Sequence, residues 1–449
     1  MKYSQIFEKV FIPIADRFAG RHITEALTEL RKNQWEDPDV IKKKQMIRLR
    51  YLLKNAYENV PYYSRLFKKA LIRPEDIQNQ RDCVRIPILT KYDIQNSYNE
   101  IISSKIKAGD LIPQCTGGSS GIPINFYHTP VKMDYTRAAL QRSFDWASFP
   151  LGEKSLKLSA SDFEITLFNR LSGQLKNWIY RRIFIPGGRL NQEIFSKCIH
   201  TIHREKPKVL WGYASILYGL AQYVKENNVQ GISFRTIISS SETLLPFQRE
   251  LIESQFKAPV FDNYSSREFM IAAECEEHQG YHIADDIVFL EIVDNEGQWV
   301  KPGESGQVLI TDLMNFGFPM IRYAIGDLAV LSDRFCKCGR GLRLLDKIVG
   351  KDSNLLVLPG QSYLSPTFFP HLFKDVAGIK DYQIIQNKVD HITLNLVKSV
   401  NYDDTVMTYL EEHLSEALKG IHVEWRFVNQ IEKPVSGKHQ PVISYVHKY

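Results

Sequence analysis

Apolar positions recur with a helical period through the first hundred residues of the chain. Between residues 41 and 56 they return every three to four positions, which places apolar side chains on one face of an α-helix. Pro61 interrupts that pattern, and Thr90, three residues before Asp93, is typical of a residue that caps the start of the next helix. We therefore predict a helical opening segment over residues 1–100.

From about residue 155 to residue 345 the pattern changes to short apolar runs that alternate with helical segments. The runs at 208–213, 235–242 and 259–266 are typical of buried strands, and the first two are each followed by an amphipathic helical segment. Such alternation predicts a mainly parallel sheet flanked by helices. Ligands usually bind at the C-terminal ends of parallel strands, where these runs become polar, so we expect a site there.

Two later stretches alternate with a period of two, which is typical of antiparallel strands. They cover 287–300 and 306–313, and Asn295, Glu296 and Gly297 form a candidate hairpin turn inside the first. We therefore expect an antiparallel β subdomain beside the parallel sheet.

The last hundred residues have a different character. A two-strand pattern covers 381–398, an amphipathic helix pattern covers 403–420, and a further strand pattern covers 422–428. The predicted fold class is thus a large α/β N-terminal domain, residues 1–350, followed by a small α+β C-terminal domain, residues 351–449.

Composition narrows the class of protein. The chain has 449 residues, 44% of them hydrophobic, which is enough for more than one domain. Lysine and arginine number 57 against 51 aspartate and glutamate, and the net charge of +6 is too small an excess to indicate nucleic-acid binding. The six cysteines do not suit the disulfide framework of a small secreted protein. We expect a cytoplasmic enzyme.

The N-terminus is amphipathic but does not match a targeting signal. Its apolar run Val10–Ile14 is short and is broken by Pro13, unlike the core of a signal peptide. No run approaches the ~20 apolar residues of a membrane span. A weak peripheral contact between the aromatic N-terminus and a membrane stays open.

One loop, within the stretch 114–128, is unusually rich in glycine and hydroxyl residues. Glycine lets a backbone approach a ligand closely, and successive N–H groups form a concavity that binds anions. A Gly/Ser turn is more often a surface linker, so the loop alone does not establish a site, and it lacks the Gly-Lys-Ser/Thr ending of a P-loop. The candidate phosphate-binding residues are Thr116, Gly117, Gly118, Ser119, Ser120 and Gly121.

Six segments, taken together, resemble the adenylate-forming superfamily. The similarity is greatest to its phenylacetate–CoA ligase branch, which includes related proteins found among capsular polysaccharide biosynthesis genes, and it extends to the opening helices. The segments lie at 114–128, 239–242, 262–268, 322–327, 346–354 and 435–443.

The resemblance implies an activity. ATP would activate a carboxylate as an acyl-adenylate, and the acyl group would then pass to CoA or to an amine acceptor. The capsule-associated relatives suggest polysaccharide biosynthesis as the setting. The resemblance also implies that the small C-terminal domain is mobile and swings about a hinge at Asp352.

Individual residues take roles from the same resemblance. Glu268 would bind Mg²⁺, which prefers carboxylate and phosphate oxygens, and Asp327 would accept hydrogen bonds from the ribose hydroxyls. Lys438 would be the catalytic lysine of the small domain, because it offers a point charge to the transition state. Besides the loop, the residues implied for ATP or AMP binding are Ser240, Ser241, Glu242, Asn263, Tyr264, Ser265, Asp327 and Lys351.

Some positions depart from the family pattern or stay ambiguous. Ile122 stands where many relatives carry lysine, and Lys351 stands where arginine is usual. These departures favour a second hypothesis, a catalytically degenerate nucleotide-binding or scaffold protein of a polysaccharide assembly pathway. Arg322 fits structural pairing and active-site charge equally well.

A second constellation contains cysteine and histidine. Cys336 and Cys338 form a compact chelating turn, and with Cys275 and one histidine they would complete the Cys₃His set of a structural zinc site. Free cysteines in a reducing compartment are the alternative. His278 and His282 both follow Cys275 closely, and the Gly-x-His pattern of the resembled branch favours His282.

Overall fold

The structure is a computed structural model of the chain. Among the residues it describes, no helix combines the length and the apolar character needed to cross a membrane. The described residues are 3–116, 124–159, 171–186, 192–351, 356–359, 362–364, 368–373, 376, 378–432 and 441–446.

The first hundred residues are helical, as predicted. One long helix ends at Asn59 and the next begins at Pro61, where the missing N–H of proline costs no helical hydrogen bond. The Thr90 hydroxyl accepts from the Asp93 N–H at 3.2 Å, and the Asp93 carboxylate accepts from the Thr90 N–H at 2.8 Å, which fixes the start of the sixth helix. The helices are α1 (Tyr3–Ile6), continued by a π-helical turn (Phe7–Phe11) into α2 (Ile12–Ala19), α3 (Ile23–Asn33), α4 (Pro38–Asn59), α5 (Pro61–Lys69) and α6 (Lys91–Asn96), with 3₁₀ turns at Pro74–Asp76, Gln80–Arg85, Tyr98–Glu100 and Ala108–Asp110.

A short hairpin and then one eleven-stranded sheet follow these helices. The hairpin consists of β1 (Ile112–Cys115) and β2 (Asn125–His128). The strands of the large sheet are β3 (Ser155–Ser159), β4 (Arg182–Pro186), β5 (Val209–Tyr213), β6 (Thr236–Ser240), β7 (Val260–Ser265), β8 (Met270–Glu274), β9 (Tyr281–Ile283), β10 (Val288–Val293), β11 (Ser305–Asp312), β12 (Tyr323–Leu331) and β13 (Leu344–Lys351).

The large sheet has a parallel half and an antiparallel half. Across the sheet the strand order is β10-β11-β12-β13-β9-β8-β7-β6-β5-β3-β4. Strands β4, β3, β5, β6 and β7 are parallel, and every neighbouring pair from β7 to β10 is antiparallel. The predicted parallel sheet is present, but the antiparallel strands extend it and do not form a sheet of their own. The predicted turn also lies between β10 and β11, where Gly297 has a φ of 75°.

Helices cover both faces of the parallel half of the sheet. Successive residues of a strand point to opposite faces, so neighbouring residues pack against different helices. Ile237 packs in a cluster with three helices on one face, whereas Ile238, the next residue, packs with a fourth helix on the other. The helices that follow the hairpin are α7 (Pro130–Trp146), α8 (Leu171–Ile179), α9 (Gln192–Glu205), α10 (Ala214–Glu226) and α11 (Pro246–Phe256). Of these, α9, α10 and α11 cover the face of Ile237, and α7 covers the face of Ile238.

The C-terminal residues form a separate small sheet with its own core, as the fold class predicted. The division of the chain at residue 350 stays a prediction. The elements are β14 (Leu356–Leu358), β15 (Ser362–Leu364), α12 (Phe368–Phe373), β16 (Ile379–Lys388), β17 (His391–Lys398), α13 (Thr405–Ala417), β18 (His422–Phe427) and β19 (Val442–Ser444). In the four-stranded sheet the order is β18-β17-β16-β19.

Arg322 joins the opening helical segment to the antiparallel half of the large sheet. Its guanidinium is buried and donates to the Ile86 carbonyl at 2.7 Å, to the Gly297 carbonyl at 2.8 Å and to the Glu291 carboxylate at 3.1 Å. These bonds occupy all three guanidinium nitrogens. Of the two alternatives that the sequence left open for Arg322, the structure therefore supports structural pairing.

Candidate functional site

The two ends of the glycine-rich loop are held together by the β1–β2 hairpin. The Thr116 N–H donates to the Ile124 carbonyl at 3.0 Å, and the Thr116 hydroxyl accepts from the Ile124 N–H at 2.9 Å. Thr116 therefore contributes to the base of the loop with both its backbone and its side chain. The other loop positions lie outside the described residues: Gly117, Gly118, Ser119, Ser120, Gly121 and Ile122.

The segment Ser240–Glu242 forms a tight turn after β6. Trp211 Nε1 donates to Ser240 Oγ at 3.1 Å. Ser241 has a φ of 73°, a left-handed conformation that residues other than glycine rarely adopt. The Glu242 carboxylate accepts from the Ser215 N–H at 2.8 Å, at the start of α10, where the helix dipole favours a negative charge. These contacts fix the turn that ends the strand.

Strand β7 brings a tyrosine against a carboxylate that lies far away in the sequence. Asn263 Nδ2 donates to Ser143 Oγ at 2.9 Å, and the Tyr264 hydroxyl donates to Asp327 Oδ2 at 2.8 Å. Burial, and then the charge of Asp327, raises the pKa of Tyr264, so the phenol keeps its proton and remains a donor. Asp327 lies in β12, opposite Lys351 of β13 in the strand register.

Glu268 lies in the turn between β7, which ends at Ser265, and β8. Its carboxylate is buried, and its N–H donates to Ser266 Oγ at 3.2 Å. Burial raises the pKa of the neighbouring Tyr323, and the charges of Glu268 and Asp327 raise it further. The carboxylates of Glu268 and Asp327 thus both lie near Tyr323. Together they offer oxygen ligands suitable for Mg²⁺ and acceptors suitable for hydroxyl groups.

Sequence analysis missed a buried ion pair beside this turn. Lys132 Nζ lies 2.8 Å from Asp312 Oδ2 and 5.2 Å from the ring centroid of Phe269, the residue after Glu268. Burial and the Lys132 ammonium lower the pKa of His128 to about 3, while the Glu268 backbone acts in the opposite direction. The ion pair of Lys132 and Asp312 therefore lies between His128, at the end of the β1–β2 hairpin, and the turn that contains Glu268. The available signal was a lysine in the first turn of a helix, where positive charge is disfavoured.

The predicted cysteine and histidine residues come together at the other end of β8. The Sγ atoms of Cys275 and Cys336 lie 3.6 Å apart, and Cys338 Sγ lies 3.3 Å from His282 Nε2. All four ligand atoms lie within 4.8 Å of one another. Pairing of β9 with β13 explains how they meet, because the turn that carries Cys336 and Cys338 leads directly into β13.

The spacing of these atoms fits a tetrahedral zinc ion. Two sulfurs that are each about 2.3 Å from such an ion lie about 3.8 Å apart, whereas a disulfide requires about 2.05 Å. Burial raises the pKa of the Cys275 and Cys336 thiols, and a bound cation would reverse this by stabilising thiolates. His278 is not part of the set, since its Nδ1 lies 3.4 Å from the Glu274 carboxylate.

The end of α3 packs against the turn that carries Cys338. Arg340 Nε donates to Gln34 Oε1 at 3.2 Å, and Arg340 Nη1 donates to the Glu276 carboxylate at 3.0 Å. The Gly341 N–H donates to the Gln34 carbonyl at 2.9 Å. The cysteine and histidine cluster therefore lies at a junction between the opening helices and the sheet.

Comparison with known proteins agrees with the sequence motifs. The family model of the CapK C-terminal domain matches residues 356–445. Phenylacetate-coenzyme A ligase of Escherichia coli (strain K12) is 25% identical over 422 residues, covering 90% of this chain and 94% of that protein. Protein CapK of Staphylococcus aureus is 22% identical over 397 residues, covering 87% and 86%. Over most of its length the chain is thus similar in sequence to phenylacetate-coenzyme A ligase and to protein CapK, in agreement with the resemblance to the adenylate-forming superfamily that the motifs indicate.

A solved adenylate-forming protein has the same fold. The crystal structure of 2-hydroxyisobutyryl-CoA ligase in the postadenylation state, in complex with R3-HIB-AMP, aligns with a TM-score of 0.73 at 19% identity. The alignment covers 92% of this chain and 91% of that one. The predicted fold class, a large α/β domain followed by a small α+β domain, is confirmed, with the parallel and antiparallel strands joined in one mixed sheet.

Two groups can be distinguished among the candidate nucleotide-site residues. In the first group, sheet pairing sets Ser240 beside Asn263 near the ends of β6 and β7, and the neighbouring Tyr264 contacts Asp327 of β12. The second group lies outside what the structure describes: Asp352, Lys438, the loop Gly117–Gly121 and the side chain of Lys351.

Proposed function

We propose that this protein is an ATP-dependent ligase that activates a carboxylate as its acyl-adenylate and then transfers the acyl group to CoA. The observation that carries the proposal is the hydrogen bond from Tyr264 to Asp327, because it joins two motifs that the family resemblance assigns to one nucleotide. Similarity to phenylacetate-coenzyme A ligase over 90% of the chain supports the same activity.

The nucleotide would bind along the edge formed by β6, β7 and β12. Asp327 would accept hydrogen bonds from the ribose hydroxyls, with Tyr264 holding its carboxylate in place. The loop 116–121 would surround the β- and γ-phosphates with N–H groups. Glu268 would hold Mg²⁺, which would neutralise phosphate charge there.

The proposed reaction has two steps, and each step forms one bond and breaks another. A carboxylate oxygen attacks the α-phosphorus of ATP, and the bond to the β-phosphate oxygen breaks to release pyrophosphate. The CoA thiol then attacks the acyl carbon, loses its proton, and releases AMP. Lys438 would place its ammonium beside the α-phosphate during the first step only.

A second candidate follows from two departures in the sequence. Ile122 and Lys351 replace residues that are basic or bidentate in many relatives, which favours a nucleotide-binding scaffold without ligase activity. The resemblance to proteins found among capsular polysaccharide biosynthesis genes suggests polysaccharide assembly as the setting for either candidate, and for the ligase it suggests an amine as an alternative acceptor to CoA.

One assay separates the candidates. The full chain would be incubated with ATP, Mg²⁺ and a panel of aromatic, aliphatic and hydroxy carboxylates, with CoA or amino sugars as acceptors, and the products identified by mass spectrometry. A ligase gives AMP and pyrophosphate in equal amounts with at least one acid, and the mass of the acyl product names the acceptor. Nucleotide binding by calorimetry without AMP from any acid supports the scaffold and contradicts the ligase.

We also propose that Cys275, His282, Cys336 and Cys338 bind a structural zinc ion. The support is the arrangement of four ligand atoms within 4.8 Å of one another at the junction with α3, on three buried residues and the partly buried Cys338. The ion would hold β8, β9 and the turn before β13 together and would take no part in the reaction. Such a site stabilises the folded state, because the unfolded chain does not present its ligands together.

Elemental analysis of protein purified without chelator tests the zinc site directly. We expect close to one equivalent of zinc, its loss in Cys336→Ser, and a lower melting temperature in that variant. Cys198→Ser is the matched control, because Cys198 is buried elsewhere in the fold. Cobalt substitution should add a sulfur-to-metal absorption band in the wild type and not in Cys336→Ser. Protein without bound metal that melts as the wild type does would contradict the proposal.

A further inference from the structure

The continuous helix formed by α1, the π-helical turn and α2 exposes apolar side chains. Phe7 and Ile12 are buried, whereas Phe11, Ile14 and Phe18, at spacings of three and four residues, are exposed. Phe18 is 89% exposed, so its side chain contributes little to the hydrophobic core.

A second exposed apolar face lies on the neighbouring helix α8. Leu175 and Trp178, three residues apart, are both exposed, Trp178 by 77%. The two helices are in contact, since the Tyr3 hydroxyl donates to the Ile179 carbonyl at 2.8 Å and the rings of Phe7 and Tyr180 lie 5.0 Å apart. We define the N-terminal apolar surface as Val10, Phe11, Ile14, Phe18, Leu175 and Trp178. Contiguous exposed apolar groups of this size mark interaction surfaces.

The charges around the N-terminal apolar surface are basic. Lys9, Arg17 and Arg181 are exposed, and in the part of the chain that the structure describes none of them forms an ion pair. The two acidic residues of the helix point away from this face: Glu8 pairs with Arg31, and Asp16 is buried and accepts from Thr24.

The sequence of α8 and the strand after it extends the same asymmetry. Residues 171–186 contain three basic residues and no acidic one. The exposed acid that follows α2, Glu25, lies 3.0 Å from His22. A partner that binds this surface must therefore offer an apolar region to the exposed apolar side chains and negative charges to the basic side chains around them.

We propose that the N-terminal apolar surface binds the surface of an anionic lipid bilayer. An amphipathic helix with basic flanks lies in the headgroup region with its apolar face toward the acyl chains, and tryptophan and phenylalanine are favoured at that depth. Phe18 and Trp178 enter the bilayer, and Lys9, Arg17 and Arg181 lie against the lipid phosphates. A second copy of the chain suits the surface less well, because it would bring like charges together.

Vesicle flotation with the full chain tests the proposal. We expect the wild type to float with vesicles of one part phosphatidylglycerol to two parts phosphatidylcholine and not with pure phosphatidylcholine, and to be released by high salt. Phe18→Ser/Trp178→Ser should lower the bound fraction about tenfold, and Lys9→Gln/Arg17→Gln about fivefold at low salt. Leu71→Ser is the matched control, since Leu71 is 87% exposed on another part of the surface and should bind as the wild type does.

Two further measurements distinguish insertion into the bilayer from misfolding and from dimer formation. Brominated lipid should quench tryptophan fluorescence in the wild type and much less in Trp178→Phe, and circular dichroism should show all variants folded. Failure of the wild type to bind anionic vesicles, or equal binding by Phe18→Ser/Trp178→Ser, would overturn the proposal. So would light scattering that shows a wild-type dimer and a monomeric double variant without vesicle binding, because the surface would then join two copies.

Discussion

The two ends of the β7–β8 hairpin differ in how their sites are assembled. At one end, Tyr264 and Glu268 belong to the candidate nucleotide site, and at the other end Cys275 belongs to the candidate zinc site. Strands of five to six residues, at about 3.3 Å per residue, separate the two ends by roughly 15–20 Å. One hairpin thus carries two sites that do not touch.

The cysteine and histidine set is complete within one region of the sheet, where strand pairing alone brings its members together. The candidate nucleotide site, as proposed, would combine residues of β6, β7 and β12 with the loop of the β1–β2 hairpin and with Lys438. A site made by one set of strands can support the fold, whereas a site shared among separate units can change as those units move. We therefore expect damage at the zinc end to appear in stability and damage at the nucleotide end to appear in activity.

The largest effect on activity should come from Lys438→Ala. We expect adenylate formation to slow by about 10²–10³-fold, because the ammonium offsets charge that develops only as the α-phosphate is attacked. Transfer from a supplied acyl-adenylate to CoA, and the melting temperature, should be unchanged. The measurements are ATP–pyrophosphate exchange and single-turnover transfer, and equal loss in both would show that Lys438 supports both steps or the fold.

At the zinc end the largest change in stability should follow Gly341→Ala. A Cβ there would lie 2.0 Å from the Glu36 carbonyl oxygen, so the backbone must shift, and we expect a loss of about 3 kcal/mol in the free energy of unfolding. Gly109→Ala is the matched control, because a Cβ at Gly109 meets nothing within 4 Å. Chemical denaturation measures both variants. If nucleotide affinity of folded Gly341→Ala falls as well, the two ends are coupled after all.

A smaller effect is expected from Asp327→Ala at the nucleotide end. Loss of hydrogen bonds between the ribose and a charged group should weaken ATP binding by about 1.5–3 kcal/mol, while the melting temperature stays close to that of the wild type. Calorimetric titration with ATP gives the affinity. Asp333→Ala, an exposed aspartate beyond the end of β12, provides the control. Wild-type affinity in Asp327→Ala would remove this residue from the site.

The smallest predicted effect is on the pH dependence of stability, and it comes from Asp262, a buried residue of β7. Burial, and then the charge of Glu274, raises the pKa of Asp262 from 3.8 to about 7. A raised pKa in the folded state adds stability that is complete below the unfolded pKa and is lost as the pH rises through the folded pKa. Between pH 5 and 8 the wild type should therefore lose about 2 kcal/mol relative to Asp262→Asn, which resembles the protonated acid. Parallel pH profiles of unfolding for the two proteins would show that Asp262 does not titrate in this range.

Local patterns predicted the elements of the fold well. The Thr90–Asp93 capping pair, the alternation of strands with α10 and α11, and the turn at Gly297 all depend on residues close in sequence, and all are present. The continuation of the parallel strands into the antiparallel ones was not predictable, because it depends on the pairing of β9 with β13, which joins segments about sixty residues apart.

The candidate sites were predictable to different degrees for the same reason. Residue types and spacing indicated Cys275, Cys336, Cys338 and one histidine, and the family resemblance favoured His282, which the structure brings together with the three cysteines. Lys132 could have been noticed as a lysine in the first turn of a helix, but its pairing with Asp312 was not predictable, because 180 positions separate the two residues. The role of Lys438 stays a prediction.

The contact between Gln34 and Arg340 has a consequence for how the protein is made. The two residues are 306 positions apart, and a ribosome that adds 5–20 residues per second needs roughly 15–60 s to span that distance. Throughout this time, residues of the sheet that pack against the apolar faces of α3 and α4 are still being synthesised. Translation speed and the supply of chaperones, more than final stability, should therefore set the yield of this protein in a foreign host.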